Sequence, residues 1–173
     1  MNDVEARARR SYEWGRAWFA LRHGLLVLPL LGCSLFGCGK PAWAAASGLA
    51  LFSLVSLLQY KGGALAKVVV PSVAAGLVPM TLPMLAKLSG HVCGGMLCGA
   101  FTSTCAVGGV LAGAWVGRRL AHAQSLKAIG AGLALAALTG ALGCAAAGLS
   151  GVLGMALGLA LGATPAVLLA RRG

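Results

Sequence analysis

After Glu13 the chain has no acidic residue, and Asp3, Glu5 and Glu13 are its only carboxylates in 173 residues. That absence excludes much chemistry. The remainder offers no Ser/His/Asp set, no carboxylate pair for acid–base work and no intramembrane carboxylate of the kind that couples transport to protons or sodium. There is no phosphate-cradling glycine loop either. The chain is therefore not expected to be an enzyme. Charge of any kind is scarce, at 10%, and aromatic residues make up only 6%.

What remains is apolar. The chain is 59% hydrophobic, carries 27 glycines and has a mean hydropathy of +0.88, outside the range of soluble domains. Its apolar runs are continuous rather than alternating, which argues against a β-barrel. A spanning helix needs about 20 such residues. The sequence thus predicts an all-α integral membrane protein, a compact bundle of six transmembrane helices with short loops. The expected spans are 17–37, 42–60, 68–88, 95–117, 128–150 and 151–170. Only a turn near Leu149-Ser150-Gly151 separates the last two, so five spans remain open. Residues 1–16 form a basic cytoplasmic N-terminal segment, and residues 17–173 the transmembrane domain.

The net charge of +11 follows the connectors. Arg7, Arg9, Arg10, Arg16, Arg22, Lys61, Lys67, Arg118, Arg119, Lys127, Arg171 and Arg172 fall on one side, and only Lys40 and Lys87 on the other. This positive-inside bias puts both termini in the cytoplasm and assigns the basic charge to topology rather than to nucleic acid. Tyr12, Trp14, Trp18 and Phe19 form an aromatic belt at the inner interface, beside His23, with His122 also near that interface. Membrane lipid is the first partner implied.

Pro71, Pro79 and Pro83 in the third span each lack a backbone donor and predict a kinked helix. Gly109, Gly113 and Gly117 recur every four residues, as do Gly154, Gly158 and Gly162. Small residues at that interval let helices approach closely, within the bundle or in a homodimer. Ser53, Ser56, Ser72, Thr81, Thr102, Ser103 and Thr104 are expected to bond back to carbonyls of their own helices.

Six cysteines stand out. The topology places Cys33, Cys38, His91, Cys93, Cys98 and Cys144 in the outer leaflet, with Cys105 seven residues beyond Cys98 and deeper. Thiol and imidazole groups suit a soft metal ion, and accessible thiols suit a redox switch. Cysteine is also a routine small hydrophobe in cores, and packing is the first reading of these residues, ahead of redox or metal sensing and of a transport site. The i,i+5 spacings Cys33–Cys38 and Cys93–Cys98 match no established zinc pattern.

The chain resembles small six-span bacterial membrane anti-sigma factors, the NrsF-like group and the CarR-like proteins of myxobacteria. The resemblance rests on the basic head, the tiny loops and the outer-side cysteines. It also rests on AGLVPMTLPML (75–85), GGVLAGAWVGRR (108–119), AGLALAALTGALGC (131–144) and LLARR (168–172). The NrsF-like group places a His-Pro or Cys-Pro pair near its cysteines, whereas Cys144 is followed by Ala145. The resemblance implies a protein of the bacterial inner membrane that negatively regulates transcription. It would sequester an extracytoplasmic-function sigma factor until a stress, light or metal signal arrives, without binding nucleic acid directly. Arg7, Arg9, Arg10, Tyr12, Trp14 and Arg16 are the candidate contacts for that partner. The alternative is a small carrier or channel for a soft metal ion or an uncharged solute.

Overall fold

The computed structural model describes residues 2–37, 41–88, 98–120, 126–144 and 149–170, and these are helical apart from short turns. The elements are α1 (Asn2–Leu25), α2 (Leu28–Gly37), α3 (Pro41–Lys61), α4 (Gly63–Lys67), α5 (Val69–Leu88), α6 (Cys98–Leu120), α7 (Leu126–Cys144) and α8 (Leu149–Ala170). Ala and Leu favour helix, and a backbone in apolar surroundings has no solvent to bond to, so it bonds to itself.

Among the described residues, four segments are long and apolar enough to cross a membrane: Val4–Leu35, Ala42–Lys61, Gly63–Leu82 and Lys127–Cys144. The exterior is apolar to match. Leu149, Leu153, Leu157 and Leu161 follow one another every four residues along α8, all exposed. On a soluble protein a column of that kind would be a large uncovered apolar patch.

The expected first span is two helices. Pro29 has no N–H and crowds the carbonyl four residues back, so the chain tightens before it. Leu26 and Val27 donate to His23 and Gly24 at 3.2 and 2.9 Å, three residues back rather than four. In the other direction α1 is longer than expected: residues 2–16 are the first half of the same helix that carries Trp18 and Leu25. A second break lies after α3, at Gly62 and Gly63, whose φ angles are +69° and +63°. Only glycine enters that region at little cost, and α4 restarts the chain towards α5. At the far end, Leu149-Ser150-Gly151 is the first turn of α8 rather than a loop. Gly151 is buried there, and the only proline of α8, Pro165, comes about four turns later.

The helices alternate in direction. Arg16 of α1 meets the end of α3 at Lys61, and Gly24 meets Phe52 and Ser56, so α1 and α3 are antiparallel. In α5 and α7, Gly76 faces Ala136 and Thr139 while Met80 faces Gly143, so these two are parallel. The α6–α8 pair is parallel too and makes the most extensive contact in the bundle. Gly109 and Gly113 lie against the Met155 and Leu159 carbonyls, and Gly158 and Gly162 against those of Ala106 and Val110. Each helix thus offers two hydrogens where a Cβ would strike the other's backbone. The stripe expected either to pack internally or to dimerise is used internally at these four positions. Gly117 is buried and Gly154 half-buried.

Pro71 falls in the first turn of α5, where a missing donor costs nothing. Pro79 and Pro83 lie in its interior, and α5 runs on through both. The carbonyls of Ala75 and Pro79 therefore have no i+4 donor. Thr81, Thr139 and Thr164 bond back to Val78, Leu135 and Ala160 at 3.2, 2.8 and 2.7 Å. Ser56 and Ser72, expected to do likewise, bury their Oγ atoms with no hydrogen-bond partner among the described residues.

Candidate functional site

Two places in the bundle bring chemistry-bearing side chains together. The first is the free half of α1. From Val4 to Gly15 every residue is exposed, including Arg7, Arg9, Arg10, Tyr12 and Trp14. Val4, Arg7, Trp14 and Trp18 share one helix face by their spacing. The opposite face, with Arg16, Ala20 and Gly24, is the one turned to α3. Tyr12 and Trp14 keep 68% and 74% of their surface open, which is high for aromatics with no neighbour to bury them. Glu13 offsets part of the charge through an exposed ion pair with Arg9, 3.4 Å away; such a pair contributes about 0.3–0.5 kcal/mol.

Arg16 differs from Arg9, whose ion pair stays within α1, because it reaches another helix. Its guanidinium donates to the Lys61 carbonyl at 2.8 Å and stands 5.2 Å from the centre of the Tyr60 ring. It thereby caps α3 and fixes where the projecting half of α1 begins. His23 is also used locally: its Nδ1 donates to the Phe19 carbonyl at 2.9 Å, with the two rings 4.2 Å apart.

The second place is a sulfur cluster at the end of the bundle away from Arg16 and Lys61. Cys105 of α6, Cys144 of α7 and Met155 of α8 are 0%, 0% and 1% exposed and pack together, walled by Ala141 and Val152. The two thiols interact side chain to side chain. Cys144 Sγ donates to the Pro79 carbonyl at 3.7 Å, the acceptor left without its helical donor because Pro83 has no N–H. Met155 Sδ is held against Gly140, where a Cβ would come within 2.6 Å of it. Gly140 is one turn before Cys144, so the thioether and the Cys144 thiol lie over the same face of α7.

Of the expected sensing residues, Cys144 is in this cluster, and Cys33 is exposed on α2. Cys38, His91 and Cys93 lie outside the described residues, as does the side chain of Cys98 at the start of α6. Among the described residues no three His, Cys, Asp or Glu side chains converge as a metal-ligand group. The third sulfur of the cluster belongs to a methionine, which ligand patterns built on thiols and imidazoles pass over. Cys105 and Cys144 are also too far apart in sequence to be paired by spacing. The available signal was the turn Gly140 to Cys144, with a glycine that makes room one turn from a thiol.

No protein-family model, curated protein or solved structure matches the chain.

Proposed function

We propose that the chain is a membrane-embedded negative regulator of transcription, an anti-sigma factor that holds a cytoplasmic sigma factor at the bacterial inner membrane through the projecting half of α1. In this reading six helical layers cross the bilayer, α1 with α2, α3, α5, α6, α7 and α8, with both termini inside. The alternating helix directions support that topology. So does the gathering of Lys61, Lys67, Arg118, Arg119 and Lys127 at the ends that would face the cytoplasm, all of them exposed.

The observation that carries the proposal is the uncovered face of α1. Arginine and tryptophan are the residue types that most often anchor interfaces, and here they stand together exposed, with no other helix of the described residues covering them. Arg7, Arg9 and Arg10 suit an acidic partner surface, and steering by such charge speeds encounter. Residues that served only to set the depth of a span would be needed near Trp18, not three turns further out.

Co-purification from gently solubilised native membranes, followed by mass spectrometry, tests this. A sigma factor should be recovered in stoichiometric amount. It should be lost when Trp14→Ala and Arg7→Glu are combined, with Arg16 kept so that α1 stays docked on α3. Retention of the partner by that variant, or absence of any soluble partner, counts against the proposal. In the second case uptake of metal ions or uncharged solutes into proteoliposomes becomes the next measurement.

A further inference from the structure

The sulfur cluster has no place in partner binding at the opposite end of the bundle. We propose that Cys105, Cys144 and Met155 form a three-sulfur binding site for a soft monovalent cation of the Cu(I) or Ag(I) class, independent of the partner reading above. Three sulfur-bearing residues come from three different helices into one buried cluster, and thiolate and thioether are the ligands that select Cu(I). Packing alone would be served by any residues of suitable volume. It does not call for two thiols in one buried cluster, nor for a glycine at 140 that admits the third sulfur to the same turn.

The surroundings decide which cation fits. All three residues are buried, and no acidic side chain follows Glu13 in the sequence to balance charge there. Burying net charge in such a place is costly. A monovalent cation that displaces one thiol proton leaves the site neutral: M⁺ with two thiols and a thioether gives one M–thiolate bond, a retained thiol, a bound thioether and one released H⁺. Cys144 keeps its proton, which already lies on the Pro79 carbonyl, and Cys105 gives up its own. A divalent ion such as Zn²⁺ would have to expel both protons to reach neutrality, and it prefers a fourth ligand. The site therefore favours the monovalent ion. Because Cys105 and Cys144 are closed off, loading requires the ends of α7 and α8 to part, and is slower than reaction at the exposed Cys33.

The test uses the full chain, reduced and anaerobic, in which Cys33, Cys38, Cys93 and Cys98 are replaced by Ser so that other thiols contribute nothing. Cu(I) is titrated against a chromophoric Cu(I) chelator, and Ag(I) is titrated as a redox-inert probe. The expected result is one ion per chain, one proton released per ion, sulfur scatterers alone in X-ray absorption, and no competition from a hundredfold excess of Zn(II). Cys105→Ala and Met155→Leu should each weaken retention by about tenfold or more. Met155→Leu preserves volume, so its unchanged thermal unfolding profile separates lost ligation from lost fold. Failure of the host to retain either ion, retention unaffected by both substitutions, or equal displacement by Zn(II) overturns the assignment.

Discussion

Arg16 donates its guanidinium to the carbonyl of Lys61, forty-five residues later, at 2.8 Å. The contact closes the C-terminal end of α3 with a positive charge, where the helix dipole and its unpaired carbonyls favour one. It also turns one arginine of a basic cluster into a structural clamp. Arg16→Ala is expected to lower stability by about 1–2 kcal/mol, from the lost charged hydrogen bond and the lost stacking on Tyr60. Arg16→Lys should recover less than half of that, because an ammonium cannot both reach the carbonyl and cover the ring. Unfolding in mixed micelles measures both, and Arg10→Ala, on the free part of α1, serves as the near-silent comparison.

Cys144 and Pro83 are expected to be coupled although they belong to different helices. Cys144→Ala removes the donor to the Pro79 carbonyl and should cost about 1 kcal/mol for that bond, beyond lost packing. Cys144→Ser keeps a donor and should cost less. Pro83→Ala restores the helical N–H to the same carbonyl, so the penalty of Cys144→Ala should shrink in that background. A double-mutant cycle on unfolding free energies is expected to give a coupling of about 0.5–1 kcal/mol; a value near zero would mean the thiol contributes only volume.

The α6–α8 contact makes opposite predictions for two glycines. Gly109→Leu forces a side chain into the Met155 carbonyl and should destabilise by at least about 1–3 kcal/mol, or separate the helices. At Gly130 on α7 an added Cβ meets nothing within 4 Å. Gly130→Ala should be neutral or stabilising by about 0.5–1 kcal/mol, because it restricts the unfolded chain without touching a neighbour. Equal effects at both positions would show that α6 and α8 are not in backbone contact.

At the α3–α4 junction the two glycines should also differ. Gly62 combines φ of +69° with ψ of −163°, a region essentially confined to glycine, and Gly62→Ala should cost about 1–3 kcal/mol. The nearest atom a Cβ would meet there is Arg16 Nη2 at 3.5 Å, an ordinary contact, so the penalty is conformational rather than steric. Gly63→Ala should cost about 1–2 kcal/mol, that of a single left-handed residue. Thermal unfolding of the two variants side by side checks the order.

Helical architecture, with helices long and apolar enough to cross a membrane, was legible from the sequence, because it follows from quantities that add along the chain: run length and hydropathy. Where helices break was half legible. Gly62-Gly63 falls in the connector expected between the second and third spans, whereas Pro29 divides the first span through a local backbone constraint that the run length masked. Ser150 looked like a turn residue and instead lies in the first turn of α8, since a backbone in an apolar run gains more by bonding to itself.

The amino-acid sequence by itself determined that this protein is helical, apolar and almost without carboxylates. Those properties are local, and no packing arrangement alters them. Only the tertiary structure decided that Arg16 is spent on Lys61 while Trp14 is left open, and that α6 and α8 meet through four glycines. It alone gathered Cys105, Cys144 and Met155 into one buried cluster, with Cys144 on a carbonyl left without its helical donor by Pro83. These are relations between residues on different helices, fixed by helix direction, rotation and depth, and one-dimensional spacing carries none of the three.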